Sequence, residues 1–341
     1  MTLTGNTFTP YRLRIRRSTH EPGRLREHAR LWTNVGADPA ARLRCGSFCA
    51  SDGAEIPYRL WPAREPAAAV LLLHGAFDYA AAFDEVGPKL AQRGFAALAI
   101  DQRGFGATRS RGTWSGTSRM AEDAIDAARI LLERTGPETP LFIIGESLGG
   151  AIAVHVAAMD RLPNLRGLVL MAPGALASRI RQRLLAFMGA AVRLVAGNSE
   201  IVFERLAGWE LTPAAAIRLI GDPLVMRRIK PEMLFGMAEI AQSAVREASS
   251  VATPALTVVG GRDELVRLAC VRRLFDNLAG EKCWQVIADA PHLLLHWRRS
   301  NEILREAVGW MTAHLPQSPH AEKNAQRPFA GDAGCAGARL D

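Results

Sequence analysis

Short, continuous apolar runs alternate with longer segments of helical character along most of this 341-residue chain. The runs occupy residues 69–74, 95–101, 141–146, 165–171, 255–259 and 283–288. Strands that are apolar on both faces are typical of a parallel sheet covered by helices. Helical segments are expected at 80–93, 118–134, 150–159, 267–279 and 299–313. The alternation predicts an α/β fold with a mostly parallel, doubly wound sheet.

The alternation stops between residues 175 and 250, where we find no strand-like run but several helical ones, at 180–195 and 233–240 among others. We therefore expect the sheet to be built from residues 46–174 and 251–315, with 175–250 as a helical insertion. Residues 56–61 alternate and contain Pro57, which favours an edge strand. Residues 1–45 show no clear period, and we expect the tail at 316–341 to be disordered.

Charge is unevenly distributed along the chain. The net charge is +8, and seven arginines fall within the first thirty residues. No nucleic-acid motif accompanies them, so we expect a solvated basic leader and no nucleic-acid partner. If the leader has a partner, an anionic membrane surface is the most natural one, which would make the protein peripheral to a membrane.

Several features predict a cytoplasmic protein. No apolar run reaches the roughly 20 residues of a membrane span, and the N-terminus lacks the basic start and apolar core of a secretory signal. Five cysteines are scattered along the chain, which suits reduced thiols better than a disulfide framework. Cys45 and Cys49 have no second Cys or His pair at zinc-binding spacing, so we expect no metal site.

The run at 141–146 leads directly into the pentapeptide Gly145-Glu146-Ser147-Leu148-Gly149. A strand, a one-residue corner at serine and a helix form a nucleophile elbow, in which a strained backbone exposes the serine hydroxyl. Gly145 and Gly149 lack the side chains that would collide at such a corner. The context predicts Ser147 as a nucleophile; a serine in a purely structural turn is the alternative.

A serine nucleophile needs a general base and an acid that orients the base. In folds with this elbow the acid and then the base follow the serine along the chain, each after a strand. We therefore predict Asp263, after the run 255–259, as the acid and His292, after the run 283–288, as the base. Neighbours of the same chemical types remain alternatives: Glu264 and Asp289 for the acid, and His296 for the base. We expect His155 to pack behind the elbow.

An oxyanion formed by attack of Ser147 needs two backbone N–H donors. We predict Leu148, which follows the nucleophile, as one donor. The other donor is predicted at Ala76, in the loop His74-Gly75-Ala76-Phe77, where Gly75 allows a sharp turn. The segment Asp101-Gln102-Arg103-Gly104-Phe105-Gly106 is interpreted as a structural turn, in which Asp101 and Arg103 bond to nearby backbone or to each other.

Five motifs occur in one order: His74-Gly75, Asp101-Gln102-Arg103-Gly104-Phe105-Gly106, Gly145-Glu146-Ser147-Leu148-Gly149-Gly150, Gly260-x-x-Asp263 and His292. In them the chain resembles the lysophospholipase/monoglyceride-lipase branch of the α/β-hydrolases, over about residues 50–313. The resemblance implies an α/β-hydrolase fold with a helical cap at 175–250. It also implies a triad of Ser147, Asp263 and His292, oxyanion donors at Ala76 and Leu148, and single-chain acyl esters as substrates.

One motif departs from that family. The usual H-G-x-G-E-H loop is replaced by His74-Gly75-Ala76-Phe77-Asp78-Tyr79, which keeps the donor position and changes its polar surroundings. The leading hypothesis is a cofactor-free serine hydrolase of monoacylglycerol or lysophospholipid esters. A general carboxylesterase, thioesterase, acyltransferase or peptidase would use the same triad. A catalytically silent ligand-binding module is the non-enzymatic alternative.

Overall fold

A mostly parallel sheet of eight strands forms the centre of the protein. The computed structural model describes residues 11–17, 43–176, 199–205 and 210–316. In these residues the strands are β1 Tyr11–Arg17, β2 Arg44–Cys49, β3 Glu55–Trp61, β4 Ala68–Leu73, β5 Phe95–Ile100, β6 Leu141–Glu146, β7 Leu165–Met171, β8 Ser199–Arg205, β9 Arg228–Ile229, β10 Ala255–Gly260 and β11 Lys282–Ile287. The large sheet has the order β11-β10-β7-β6-β4-β5-β3-β2. In this sheet only β3 runs opposite to the other strands, since it pairs antiparallel with both β2 and β5. The predicted fold class is confirmed.

Seven α-helices accompany these strands in the described ranges: α1 Gly87–Ala91, α2 Thr117–Thr135, α3 Leu148–Ala158, α4 Pro213–Gly221, α5 Pro231–Glu247, α6 Leu268–Asn277 and α7 Ser300–Ala313. They cover both faces of the large sheet. Alternate side chains of β4 belong to two separate apolar clusters, one shared with α2, α3 and α6 and the other with α1 and α7. Every residue of β4, β5 and β6 is buried, which explains their uninterrupted apolar sequences. Within the described ranges, none of the helices combines the length and apolar character that crossing a bilayer requires.

Two local expectations were wrong. The helix expected at 80–93 is a short 3-10 helix, Ala80–Phe83, followed by α1. Pro88 accounts for the break, because proline is tolerated in a first turn but not in a helix interior. Strand β3 is also not at the edge, since β2 pairs with its outer side. Pro57 fits there because pairing of β3 with β5 begins only at Tyr58.

The segment 175–250 also contains strands that the sequence did not predict. β8 pairs antiparallel with β1 over its whole length and with β9 at its centre, which gives a second, three-stranded sheet. The first expected helix of this segment, at 180–195, lies outside the described residues, whereas the second, at 233–240, lies within α5. Residues 11–17 of the arginine-rich leader therefore form a strand that was not expected from the sequence.

Candidate active site

Ser147 occupies a strained corner between β6 and α3. Its backbone has φ 53° and ψ −113°, in the left-handed half of conformational space that non-glycine residues rarely adopt. A hydrogen bond to the neighbouring strand holds this corner in place: the Ser147 N–H donates to the carbonyl oxygen of Met171, the last residue of β7, at 2.9 Å. A Cβ atom added at Gly149 would lie 2.0 Å from the Leu73 carbonyl oxygen, so only glycine fits where α3 crosses β4.

The three predicted triad residues lie in one hydrogen-bond chain. Ser147 Oγ is 2.9 Å from His292 Nε2, and His292 Nδ1 is 2.7 Å from Asp263 Oδ2. Because an ionised carboxylate only accepts, the Nδ1–H group donates to Asp263 and the Nε2 lone pair is left for the serine hydroxyl. Asp263 is itself held by N–H groups of Leu265 and Val266, both 2.9 Å from Oδ1.

Parallel strands explain why residues so distant in sequence meet. Ser147 follows β6, Asp263 follows β10 and His292 follows β11, and all three strands end at the same edge of the sheet. The side chains of His292 and Asp263 are 3% and 5% exposed, which protects their hydrogen bond from water. Ser147 is only partly buried.

The alternatives for the acid and the base lie elsewhere. Glu264 is exposed, and Asp289 forms an ion pair with Arg299 at 2.8 Å. His296 is buried beside Glu146, with Nε2 3.2 Å from Oε2 of that carboxylate. His155 packs behind the elbow as expected, where Ser243 Oγ is 2.9 Å from its Nε2 and Glu247 contacts its Nδ1.

The loop after β4 lies against Ser147. A Cβ atom added at Gly75 would be 3.5 Å from the Ser147 Cβ atom, which places the backbone of the 74–77 loop beside the nucleophile. Leu148 is the first residue of α3, so its N–H group has no acceptor within the helix. Phe77, next to Ala76, has φ 72°, a second strained non-glycine backbone at this site. Both predicted oxyanion donors therefore belong to segments adjacent to Ser147.

His74 holds this loop in place through buried hydrogen bonds. The Gln102 N–H donates to His74 Nε2 at 3.0 Å, so the ring proton sits on Nδ1 and is donated to Gly75 O at 2.7 Å. The Gln102 side chain in turn donates to His74 O at 2.6 Å. Complete burial lowers the pKa of His74 to about 4, so its ring is neutral at physiological pH. His74 is thus a structural support of the loop.

The turn at 101–106 is structural, as expected, but one of its side chains has other partners. Asp101 accepts from the N–H groups of Ala80 and Ala107 at 2.9 and 2.7 Å. Arg103 contacts neither Asp101 nor nearby backbone; it pairs with Asp123 and Asp52 at 2.7 and 2.8 Å. The expectation for Arg103 was wrong because both partners come from distant segments that the sequence does not connect to it.

Two buried carboxylates at the site were not singled out from the sequence. Glu146 accepts from the Leu295 N–H at 3.0 Å and lies beside His296. Burial alone would raise the pKa of Glu146, but His296 and the Leu295 N–H hold it below its ordinary value. Asp78 is 6% exposed and contacts Arg218 of α4.

In the part of the chain that the structure describes, no group of three or more His, Cys, Asp or Glu side chains is arranged to hold a metal ion.

Known proteins resemble this chain in sequence and in fold. The family described as "Serine aminopeptidase, S33" matches residues 64–297. The monoacylglycerol lipase of Mycolicibacterium smegmatis is 26% identical over 278 residues, which cover 79% of this chain and 97% of that protein. The solved monoacylglycerol lipase of Paleococcus ferrophilus has a TM-score of 0.62 at 24% identity, covering 76% of this chain and 99% of its own. A soluble variant of the Saccharomyces cerevisiae monoglyceride lipase has a TM-score of 0.66 at 18% identity, covering 82% and 97%.

The match spans well over half of the chain and includes the elbow, Asp263 and His292. The two solved structures share the fold of this chain. The chain therefore belongs to the serine aminopeptidase S33 family of α/β-hydrolases.

Proposed function

We propose that the protein is a serine hydrolase that cleaves carboxylic esters of single-chain acyl lipids, of the monoacylglycerol or lysophospholipid type. The observation that carries the proposal is the hydrogen-bond chain from Ser147 through His292 to Asp263, at 2.9 and 2.7 Å. A serine in such a chain can lose its proton to the imidazole as it attacks. This proposal needs no cofactor.

In the proposed reaction, Ser147 Oγ attacks the ester carbonyl carbon and its proton passes to His292 Nε2. The carbonyl oxygen becomes an oxyanion, which accepts hydrogen bonds from the N–H groups of Ala76 and Leu148. Collapse of this intermediate breaks the ester bond, and the leaving alcohol takes the proton from His292. Water then attacks the acyl-enzyme, with His292 as base, and releases the fatty acid and the free serine. Asp263 holds the imidazole in the required tautomer throughout.

The choice of a lipid ester rests on two further observations. The relative from Mycolicibacterium smegmatis, 26% identical, is a monoacylglycerol lipase. On this chain, Ile217 and Ile220 of α4 are 61% and 68% exposed, and the same helix contacts the loop that carries Ala76. Two large apolar side chains open to solvent at that place suit contact with a lipid substrate. Contact of the arginine-rich leader with an anionic membrane stays a prediction.

A peptidase activity is the second candidate, since the family is described by an aminopeptidase. An aminopeptidase must hold the substrate's ammonium group, usually with a carboxylate. Among the residues that the structure describes, three buried carboxylates at the site already have partners: Asp263 binds His292, Glu146 binds His296 and Asp78 binds Arg218. These pairings favour an ester over a free amino terminus.

A substrate series with the purified protein tests the proposal. It should include monoacylglycerols and lysophospholipids of increasing chain length, short p-nitrophenyl esters, acyl thioesters and aminoacyl p-nitroanilides. We expect turnover of the long-chain glycerol or phospholipid esters with the highest kcat/KM. Preference for the anilides would replace the proposal with a peptidase, and preference for thioesters or for the short p-nitrophenyl esters would replace it with a thioesterase or a general carboxylesterase.

The non-enzymatic alternative is tested by two serine variants. Ser147→Ala is expected to abolish turnover of every ester in the series. Ser47→Ala, in the exposed outer strand β2, is the matched control and should retain full activity. Activity of Ser147→Ala equal to that of the control would contradict the assigned nucleophile. Absence of turnover in the unmodified protein would favour the ligand-binding module.

A further inference from the structure

Three consecutive residues after Ala76 are each bound by the segment 218–226. The Met226 N–H donates to the Phe77 carbonyl oxygen at 2.7 Å. The Asp78 carboxylate contacts the guanidinium group of Arg218. The Tyr79 hydroxyl donates to Asp222 Oδ2 at 2.5 Å. One stretch of chain, at the end of α4 and just beyond it, therefore holds the loop that supplies the predicted oxyanion donor.

The conformation of that loop needs such support. Phe77 has φ 72°, which a residue with a large side chain adopts only where its surroundings enforce it. The Ala76 N–H belongs to the peptide that joins Gly75 to Ala76, which lies between the strained Phe77 and the position where Gly75 approaches Ser147. If contacts from 218–226 were lost, relaxation of Phe77 would rotate the neighbouring peptides and move the Ala76 N–H away from Ser147.

The ion pair in this support is buried on both sides. The Asp78 and Arg218 side chains are 8% and 12% exposed. Burial alone would raise the pKa of Asp78, but Arg218 and then His296, with Nε2 at 4.0 Å, hold it below its ordinary value. A buried pair with this geometry is costly to break on one side only, because the remaining charge stays uncompensated. The pair therefore fixes the position of the loop relative to α4.

We propose that Arg218 is a positioning residue for the oxyanion loop, which it holds through Asp78 together with the contacts of Asp222 and Met226. This inference rests on the proposed hydrolase function. The expected consequence is that α4 and the loop form one unit, so that the position of α4 determines whether the Ala76 N–H points at the reacting carbonyl. Arg218 acts on the reaction through Asp78 and does not itself touch the substrate.

The test compares Arg218→Met, which keeps much of the side-chain volume, with Arg218→Lys and with Arg227→Met. Arg227 is an exposed arginine directly after the segment 218–226. Loss of one oxyanion donor lowers kcat by about 10²–10³-fold. We therefore expect Arg218→Met to lower kcat by about 10–100-fold with KM for a short p-nitrophenyl ester unchanged. Arg218→Lys should recover part of kcat, and Arg227→Met should match the unmodified protein.

Tyr79→Phe keeps the proposal testable if Arg218→Met does not fold, because it removes only the hydroxyl that binds Asp222. A smaller fall in kcat, again with KM unchanged, is expected. Hydrogen exchange of the amides at 74–79 should become faster in both variants. Unchanged kcat and exchange in well-folded variants would overturn the proposal, and so would a rise in KM alone, which would make Arg218 a substrate contact.

Failure of the proposed function is separable from failure of this inference. If the unmodified protein shows no Ser147-dependent turnover, the proposed function fails, and hydrogen exchange still reports whether Arg218 holds the loop. If the unmodified protein turns over esters and the variants behave like it, only the positioning role fails.

Discussion

Replacing Ser147 by glycine is expected to give a more stable protein than replacing it by alanine, although both changes remove the nucleophile. The reason is the backbone at this corner, with φ 53° and ψ −113°. A non-glycine residue in such a region costs about 1–3 kcal/mol, whereas glycine adopts it without strain. Alanine keeps the Cβ atom and therefore keeps the strain.

The size of the effect follows from two opposing contributions. Relief of strain favours glycine by about 1–3 kcal/mol, and the greater freedom of glycine in the unfolded chain disfavours it by about 0.5–1 kcal/mol. The middle of these two ranges gives a free energy of unfolding for Ser147→Gly that exceeds that of Ser147→Ala by about 1 kcal/mol. Urea unfolding followed by circular dichroism measures this difference directly, provided that the m-values agree.

A second serine supplies the control. Ser249 lies in the short 3-10 helix Ala248–Ser250 and is not among the residues with positive φ. At that position glycine should be less stable than alanine by about 0.5–1 kcal/mol, the usual order. If Ser147 showed the same order as Ser249, the corner would hold no strain and the reasoning about the elbow would be refuted.

Three further changes have definite expected outcomes. Asp263→Asn should lower kcat by about 10⁴-fold in steady-state ester assays, because asparagine no longer fixes the imidazole tautomer; Asp289→Asn should have no effect, and similar losses in both would contradict the assigned acid. Gly149→Ala should destabilise the protein by about 3 kcal/mol in urea unfolding, since its Cβ would meet a backbone oxygen at 2.0 Å. Gly309→Ala, whose added Cβ would have no atom within 4 Å other than those of its own helix backbone and chain neighbours, should be neutral or stabilising; equal stabilities of the two variants would argue against close packing at the elbow. Acidification from pH 7 to pH 5 should lower the free energy of unfolding of His74→Gln by about 1–2 kcal/mol less than it lowers that of the unmodified protein. Burial lowers the pKa of His74 to about 4, so on acidification the unfolded chain binds a proton that the folded protein does not; equal losses would show that His74 titrates normally.

The sequence predicted the sheet and the strand-end residues of the site because both follow from local patterns. Apolar runs such as 141–146 are continuous only where a strand is buried on both faces. Asp263 and His292 each come directly after such a run, and parallel strands bring their ends to one edge. The structure brings these two residues and Ser147 into hydrogen-bond contact, as predicted.

The features that the sequence did not predict depend on partners far along the chain. β1 and β8 pair although nearly two hundred residues separate them, and alternation in 11–17 was hidden by its many arginines. Arg218 resembles any charged residue on a helix, and only the tertiary fold brings it to Asp78. Likewise, the four-residue spacing of His292 and His296 places them near each other but does not indicate that His296 pairs with Glu146.

Covalent labelling with a fluorophosphonate tests the central claim most directly, since the reagent reacts with a serine that its own site has activated. Mass spectrometry of the intact protein should show one adduct per chain, and fragmentation should assign it to Ser147. The label should be absent from Ser147→Ala and from protein unfolded before exposure. An unlabelled native protein, or a stoichiometric adduct on any other residue, would contradict the proposal that Ser147 is the nucleophile.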